Sequence, residues 1–461
     1  MKIYTLVAIV AAVIIVTAGV GFVLLNNNSS KEVVDIITDD PNRETADANG
    51  RLWIVGNANM DDVLDEKDIE WIQKILDGKA NEVVFNAELS KYSVDVRMAD
   101  ANQDGVINND DIKMVRSMID ANINSEKQLI HYIDVDGAIN SMHYPAKTLI
   151  STYEQNSKQI QTLHALDMLI AWDYQSAGHA YAAGALKDDQ VIFHSYSERS
   201  DPSAELIIKY APDAILTGTR DIYCNTLEAA LPSERSNMDV IRISSWEDNK
   251  VIEGTLTLGF MICKNEEAQA YAAWADKWIG TISDKVSTLS DDKIVKILVP
   301  RGQYVGWEYI MNGPRSGKYE TSLLAGADNV ITRNLTSTST NVTVTDEWVK
   351  AQSDLDYIVA IVYGGLTNVK MNDYTNKSFY DAAVKHWAGM TNAYGTQIHV
   401  LDNLVGQGTS YVIGSVYMAK WFYPDLFKDM NPDEIFQEFM DDFLQYDFDV
   451  AAYQATGGIA I

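Results

Sequence analysis

Several common signatures are scarce or missing in this chain. Its 461 residues contain two cysteines, Cys224 and Cys263, and no Cys-x-x-Cys pair, which excludes zinc ribbons and thioredoxin-type chemistry. We expect two buried free thiols rather than one disulfide. Basic residues are also scarce, because 36 Lys and Arg stand against 65 Asp and Glu, a net charge of -29. This balance argues against a nucleic-acid partner, which needs basic surface, and it suits divalent cations.

Enzyme motifs are missing as well. The sequence has no HExxH, GxSxG, Walker A or GxGxxG pattern. Its seven histidines do not cluster at metal-binding spacings. Carboxylate pairs are abundant at this charge, so spacing alone does not exclude a glycosidase. We nevertheless interpret the chain as a non-enzyme with a sizeable core, since 47% of its residues are hydrophobic.

The N-terminus is strongly apolar. The run from Leu6 to Leu25 is long enough to cross the core of a bilayer as a helix. A cleaved signal peptide has a shorter apolar region that ends at small residues, so we favour a transmembrane anchor at residues 1–25. Either way, the bulk of the chain lies outside the cytoplasm, at a cell surface. Residues 26–50 are polar and predict a flexible stalk.

Residues 51–125 contain a loop-and-helix unit that occurs twice. Both loops place oxygen-bearing residues at the alternating positions of a calcium loop, and an amphipathic helix follows each. The second loop offers Asp100, Asn102, Asp104, the Val106 carbonyl, Asn108 and Asp111. The first loop offers Asn57, Asn59, Asp61, the Val63 carbonyl, Asp65 and Asp68. We therefore expect two structural calcium ions.

The first loop departs from the usual pattern at two positions. Asn57 replaces the usual Asp, and Asp62 stands where the second loop has Gly105. A residue at that turn must tolerate a positive φ, which Asp does better than most residues. We expect the first loop to bind calcium more weakly than the second.

The repeated unit resembles a dockerin domain. The stretches "GNANMDDVLDEKDI" and "ADANQDGVINNDDI" are similar to the archaeal form of the dockerin repeat. The resemblance implies a small α domain that folds around two calcium ions and presents helices to a cohesin-type partner. A calcium-stiffened spacer next to the membrane is an equally good interpretation. The absence of a lipoprotein cysteine near residue 20 also points to an archaeal surface protein.

From residue 130 onward, apolar runs alternate with helical stretches. Runs such as "MLIAW" and "YIVAIVYGG" are typical of parallel strands with helices on both faces of the sheet. A long helical stretch without proline lies between two sets of such runs. The sequence therefore predicts an α/β fold with two Rossmann-like lobes, at 130–260 and 291–461, joined by one helix at 261–290.

This α/β region resembles the substrate-binding proteins of cobalamin, iron-siderophore and haem ABC importers. The matching stretches include "AELIIKYAPDAILTG" (204–218), "SLLAGADNVI" (322–331) and "AKWFYPDLFKDMNPDEIFQEFMDDFL" (419–444). Ala327 departs from the family pattern, since it replaces the second glycine of the Ala-Gly-Gly segment. The resemblance implies a metal-chelate type periplasmic-binding-protein fold. It implies a receptor that captures an iron chelate, haem or corrinoid and delivers it to an ABC permease and its ATPase.

The resemblance also implies two kinds of site. Glu205 and Glu347 match the surface glutamates that dock on permease arginines, although acidic residues are also common at helix starts. In open α/β sheets a ligand lies beyond the carboxyl ends of the strands. There the sequence offers Tyr153, Trp172, Arg220, Arg301, Tyr304, Trp307 and Tyr363. Aromatic rings give flat contact area and arginines pair with anions, but core packing is the alternative for each aromatic residue.

Two other functions compete with this receptor. A calcium-dependent surface scaffold or adhesion protein would bind a cohesin or cell-wall partner and show no ligand-dependent closure of lobes. A surface hydrolase would turn over a glycan. The paired glutamates and the aromatic residues at strand ends favour the receptor.

Overall fold

A computed structural model describes most of the chain. The described ranges are 32–37, 41–87, 95–178, 190–217, 221–231, 238–247, 250–301, 310–314, 316–334, 340–362, 377–391, 395–445 and 447–455. The predicted anchor at 1–25 lies outside them. Within these ranges, no helix has the length and apolar character that crossing a membrane requires.

The N-terminal part combines helices with an antiparallel sheet. Its elements are β1 (Glu32–Ile37), α1 (Glu66–Leu76), β2 (Glu82–Ala87), β3 (Asp95–Arg97) and α2 (Asn109–Ile119). The strands pair in the order β1-β2-β3. We call residues 41–125 the loop module, because it contains both predicted calcium loops.

Two predictions for this region are wrong. The loop module is not an α domain, because Val83 and Phe85 alternate with less buried residues and form the buried side of a strand. The described part of the predicted stalk at 26–50 is not a flexible tether either. There β1 pairs along its whole length with β2, and the Glu44 amide donates to the Lys79 carbonyl at 2.7 Å.

A hairpin and a parallel sheet follow the loop module. The elements from here to the long helix are β4 (Gln128–Ile133), β5 (Ile139–Tyr144), β6 (Leu149–Ser151), α3 (Glu154–Thr162), β7 (Leu169–Asp173), α4 (Tyr174–Gly178), β8 (Val191–Phe193), α5 (Tyr196–Ser200), α6 (Ala204–Tyr210), β9 (Ala214–Leu216), α7 (Asp221–Ala230), β10 (Asp239–Ile241) and α8 (Val251–Met261). Strands β10-β9-β6-β7-β8 pair in parallel in that order. This sheet and its helices are the first lobe.

The predicted linking helix is α9 (Asn265–Val286). Its buried face follows the helical spacing of small and apolar side chains in the sequence. The side chains at this spacing are all buried: Ala268, Ala272, Ala275, Ile279, Ile282 and Val286. The helix therefore offers one long side for packing against both lobes.

The second lobe repeats the parallel arrangement. Its elements are β11 (Lys296–Leu298), β12 (Ile310–Asn312), α10 (Gly317–Leu324), β13 (Asp328–Asn329), α11 (Ile331–Asn334), β14 (Asn341–Thr343), α12 (Asp346–Lys350), β15 (Tyr357–Val362), α13 (Lys377–Thr391), β16 (Gln397–Asp402), α14 (Tyr411–Phe422), α15 (Pro432–Phe439) and α16 (Val450–Ala455). Strands β13-β11-β15-β16 pair in parallel, and β12 pairs with β14 outside that sheet. The α/β prediction with parallel sheets is confirmed.

The loop module is built into the rest of the fold. Its buried residues Ile54, Ile72 and Met118 belong to the same apolar core as Tyr144 and Phe260. The Val55 amide also donates to the carbonyl of His131 on β4 at 2.9 Å. We call residues 128–455, within the described ranges, the α/β body.

Both cysteines are free thiols, as the sequence predicts. Cys224 is buried, whereas Cys263 is only partly buried. Burial raises the pKa of each thiol. A raised pKa leaves less thiolate at neutral pH, so both thiols are weaker nucleophiles than an exposed cysteine.

Candidate functional site

The helix that follows the first strand of the first lobe is polar and yet buried. Helix α3 has the sequence "EQNSKQIQT", and every one of its residues is buried. Buried polar groups need hydrogen-bond partners, because leaving them unpaired costs about 1–3 kcal/mol each. The partners of α3 come from both lobes, so this helix lies where the two lobes meet.

A lysine in α3 crosses from the first lobe to the second. Lys158 Nζ donates to the carbonyls of Leu404 and Gln407, each at 2.9 Å. It also donates to Ser410 Oγ at 2.7 Å. These three acceptors lie in the segment between β16 and α14. The contact ties the middle of α3 to the second lobe.

An arginine stands between two tyrosines at the carboxyl ends of the first-lobe strands. The Arg199 guanidinium carbon is 4.6 Å from the ring centre of Tyr153 and 5.7 Å from that of Tyr174. Trp246, just after β10, packs against Tyr153 with ring centres 5.2 Å apart. A cation above aromatic faces is stabilised by their negative potential. Tyr174 and Trp246 are partly exposed, whereas Tyr153 is 7% exposed and the Arg199 side chain 11%. We call these four residues the aromatic–arginine cluster.

A buried carboxylate lies behind this arginine. Asp173 ends β7 with no exposed surface, and its Oδ1 is 3.9 Å from Arg199 Nη1. Burial raises the pKa of the Asp173 carboxyl, and the hydrogen bond from Ser176 and the charge of Arg199 act against that rise. The ion pair holds the guanidinium in place between the rings, so the cation is preorganised.

The predicted ligand residues have different fates. Tyr153 belongs to the cluster. Trp172 does not, because it is 1% exposed and packs inside the core, where its indole N–H has no partner among the described residues. Arg301 belongs to the second lobe, where its Nη1 donates to Asn341 Oδ1 at 2.9 Å. The remaining predicted ligand residues lie outside the described ranges: Arg220, Tyr304, Trp307 and Tyr363.

Tyr174 lies at the strand end that the sequence predicts at Trp172 to Tyr174, but sequence reasoning missed the other two members of the cluster. Arg199 lies in the polar stretch after β8, which looks like an ordinary solvated loop, and Trp246 follows β10 in the same manner. The signal was available, since both residues follow the carboxyl end of a parallel strand. Strand β8 is too short for its apolar pattern to mark that end clearly.

The two predicted docking glutamates occupy equivalent positions. Glu205 is the second residue of α6 and Glu347 the second residue of α12, and both are exposed. Each helix starts with a hydroxyl cap, because Ser203 and Thr345 accept a hydrogen bond from a backbone amide of the first turn. Each lobe therefore presents one glutamate in the same local setting.

The first predicted calcium loop contains an unpaired buried oxygen. Asn57 has no exposed surface. Its Nδ2 donates to the carbonyls of Leu52 and Asp61, at 2.8 and 2.7 Å. Its Oδ1 has no hydrogen-bond partner among the described residues. This oxygen is the first ligand position of the loop pattern, so the arrangement fits a bound cation.

The closing aspartate of each loop binds backbone amides of its own loop. Asp68 accepts from the amides of Asn59 and Asp65, at 3.2 and 2.8 Å, and Asp111 does the same in the second loop. Burial raises the pKa of Asp68 to about 7, and the nearby charge of Asp61 adds to the rise. In the described part of the chain, no three His, Cys, Asp or Glu side chains are grouped to hold a metal by themselves. A calcium site therefore needs the asparagine and carbonyl oxygens as well.

Asp62 does not adopt the glycine-like turn that the loop pattern predicts. The positive φ of the first loop falls at Met60, with 51°, and the matching residue of the second loop, Gln103, has 57°. Gly105 has a further positive φ of 88°, whereas Asp62 has none. The physical reason is an ion pair, because Asp62 Oδ2 lies 2.5 Å from Arg51 Nη2 and holds the turn in another conformation.

Comparison with known proteins identifies the fold. No family model and no curated protein matches the sequence. The TroA-like periplasmic binding protein FepB from Veillonella parvula is similar in structure, with a TM-score of 0.52 and 16% identity over 69% of this chain and 97% of that chain. An ABC transporter solute-binding protein from Sulfurospirillum deleyianum gives a TM-score of 0.52 and 18% identity over 70% and 98%.

A third structure extends this similarity. The molybdate-binding protein MolA of a Haemophilus influenzae ABC transporter, solved with molybdate bound, gives a TM-score of 0.52 and 14% identity. The match covers 69% of this chain and 98% of that chain. The chain thus has the α/β fold of TroA-like periplasmic binding proteins. These three neighbours are periplasmic or solute-binding proteins.

Proposed function

We propose that this chain is the cell-surface receptor of an ABC importer. It captures an iron chelate, haem or corrinoid between its two lobes and delivers it to a membrane permease with its ATPase. Residues 1–25 anchor it to the membrane. The observation that carries the proposal is the aromatic–arginine cluster, because it lies at the carboxyl ends of parallel strands, where open α/β folds bind their ligands.

The cluster favours a ligand with both a flat face and negative charge. Tyr174 and Trp246, which are partly exposed, offer aromatic area for a planar group, while Arg199 pairs with carboxylate or catecholate oxygens. An anionic iron chelate meets both requirements. Lys158 joins the lobes beside this point, so the ligand meets a site that is largely formed before binding.

Delivery of the ligand requires the receptor to dock on its permease, and the two exposed glutamates are the proposed contacts. Glu205 and Glu347, one on each lobe, are proposed to dock on cationic residues of the permease. Their similar helix starts support a paired role, since both carboxylates stand on short rigid elements. Exchanging both for glutamine should leave ligand affinity unchanged while it abolishes ligand-dependent stimulation of the ATPase.

The two loops are proposed to hold structural calcium ions. The cation would supply positive charge among buried aspartates that otherwise repel one another. In the first loop the proposed ligands are Asn57, Asn59, Asp61, the Val63 carbonyl, Asp65 and Asp68. In the second loop they are Asp100, Asn102, Asp104, the Val106 carbonyl, Asn108 and Asp111.

Ligand binding to the full chain tests the receptor proposal. The protein, in mild detergent with calcium, is titrated with ferric siderophores, haemin, cobalamin and cobinamide while tryptophan fluorescence is followed. We expect saturable one-to-one quenching by one class, and the ligand spectrum should remain with the protein after gel filtration. Free tryptophan in the same buffer corrects for absorption by these chromophores.

Two variants locate the site. Arg199→Gln should weaken binding about tenfold or more, because a charge-assisted contact is lost. Arg116→Gln, on the exposed side of α2, is the matched control and should bind as the wild type does. If no class binds to the folded, calcium-loaded chain, the receptor proposal is wrong. If Arg199→Gln binds normally, the ligand lies elsewhere.

A further inference from the structure

One buried arginine joins the first loop to the long helix. Arg51 Nη1 and Nη2 donate to the two carboxylate oxygens of Asp276, at 2.7 and 2.8 Å. The same guanidinium donates to Asp62 Oδ2 through Nη2 at 2.5 Å and through Nε at 3.1 Å. The Arg51 side chain is 10% exposed. The planar guanidinium binds Asp62 on one edge and Asp276 on the other, so it fixes the position of one carboxylate relative to the other.

The backbone beside Arg51 is locked to the first loop too. The Arg51 amide donates to Asp62 Oδ1 at 2.6 Å, and the Gly50 amide donates to the Met60 carbonyl at 2.7 Å. The chain lies so close that a Cβ on Gly50 would be 2.1 Å from the Asp61 carbonyl oxygen. A change in the shape of the first loop therefore moves the Arg51 guanidinium.

On its other side, the arginine reaches the element that links the lobes. Asp276 lies in the middle of α9, two residues after Trp274. Trp274 packs against Phe439 and Phe443 of the second lobe, with ring centres 5.3 and 5.4 Å apart. Holding Asp276 in one position therefore restrains α9, and the buried side of this helix packs against both lobes.

We propose that calcium in the first loop stabilises α9, the long helix of the α/β body, through Arg51. The loop module is then an internal brace of the receptor rather than a separate domain on a tether. At the matching position of the second loop, Gly105 has no side chain to pair with an arginine, and its carbonyl accepts instead from Arg97 Nη1 at 3.1 Å. The proposal rests on the calcium binding proposed above, and the unpaired buried oxygen of Asn57 supports occupancy of this loop. It does not depend on which ligand the receptor binds.

Hydrogen exchange of the full chain tests the connection. Amide exchange is followed by mass spectrometry in detergent, with calcium and with a chelator, and calcium occupancy is measured by titration calorimetry. In the wild type, calcium should slow exchange around Asp276 in α9 about tenfold. Arg51→Met and Asp276→Asn should still bind calcium but lose this protection. Asp284→Asn, an exposed carboxylate on the same helix, is the matched control and should keep it.

Site-selective loss of calcium gives a second measurement. Asn57→Ala should remove protection of α9, whereas Asp100→Ala, which impairs the second loop, should retain it. The proposal is overturned if calcium fills the first loop and exchange in α9 does not change. It is equally overturned if Arg51→Met and Asp276→Asn both keep the protection. Absence of calcium binding to the first loop also overturns the proposal. Failure to bind any chelate, by contrast, contradicts only the receptor function and leaves the exchange result intact.

Discussion

The two loops of the loop module share a sequence pattern but not a setting. The first loop is covered, since Asn57 is 0% exposed and the Gly50 backbone lies directly against it. The second is open, since Val106 is 58% exposed and a Cβ on Gly105 would meet nothing within 4 Å. The comparison teaches that the turn of the first loop is packed against Gly50 and Arg51. The turn of the second loop faces solvent, although Asp100 and Ala101 at its base are buried.

A single position accounts for much of this difference. Asp62 in the first loop has a side chain that engages Arg51, and Gly105 in the second loop does not. The first loop thereby gives up the glycine turn and gains a contact with α9. Substitutions in the covered first loop should therefore change the stability of the α/β body, and those in the open second loop should affect that loop alone.

The largest effect is expected from Gly50→Ala. The added methyl group would collide with the backbone of Asp61, so the chain must shift at the point where it fixes the first loop. We expect a loss of about 3 kcal/mol in the free energy of unfolding. Urea unfolding with calcium present measures it. Gly280→Ala in α9, where the added atom meets nothing, is the control and should stabilise by up to about 1 kcal/mol. Equal stability of Gly50→Ala and wild type would show that the first loop is not covered as described.

An intermediate effect is expected from the arginine itself. Arg51→Met should cost about 2 kcal/mol, because it leaves two half-buried carboxylates without their cation. A double-mutant cycle with Asp276→Asn should give a coupling free energy of about 1–2 kcal/mol. Arg116 on α2 and Glu66 at the start of α1 form an exposed pair between the two repeats, which should couple by about 0.5 kcal/mol or less. Equal coupling in the two cycles would show that the Arg51 pair contributes no more than an exposed ion pair.

The smallest effect is expected at the open loop. Gly105→Ala should cost about 1 kcal/mol, because alanine tolerates a φ of 88° poorly although it meets no steric obstacle. Calcium affinity of the second loop should fall, and calorimetry resolves that site from the first. Exchange in α9 should not respond. A change of exchange in α9 would mean that the open loop is also connected to the α/β body.

The regular elements could largely be predicted from the sequence. Strands such as β15 are unbroken runs of branched apolar residues, and α9 shows a clear helical period, so both follow from local patterns. The parallel arrangement then follows, because strands that alternate with helices pair in parallel. The hairpin β4–β5 and strand β8 were missed, since each is short or mixed in polarity.

Burial of polar segments could not be predicted in this way. Helix α3 looks like a surface helix from its residues, and its burial depends on acceptors such as Leu404 and Ser410, more than two hundred positions away in the chain. The packed state of the loop module was missed for the same reason, because Arg51 finds Asp276 only in the folded chain. Arg199 likewise becomes a site residue only when β8 brings it beside Tyr153. Long-range polar pairing leaves little trace in local sequence.

The bond between Arg51 and Asp276 also sets an order of events during synthesis. The ribosome completes the loop module at α2, well before it reaches α9, and at about 5–20 residues per second the wait is roughly 10 to 30 seconds. Until α9 has emerged, the apolar residues of the loop module lack the part of the shared core that the long helix supplies. A nascent chain stalled before α9 should therefore be prone to aggregation and to capture by chaperones. This ion pair makes the packing of the first quarter of the chain depend on a residue that is synthesised 225 positions later.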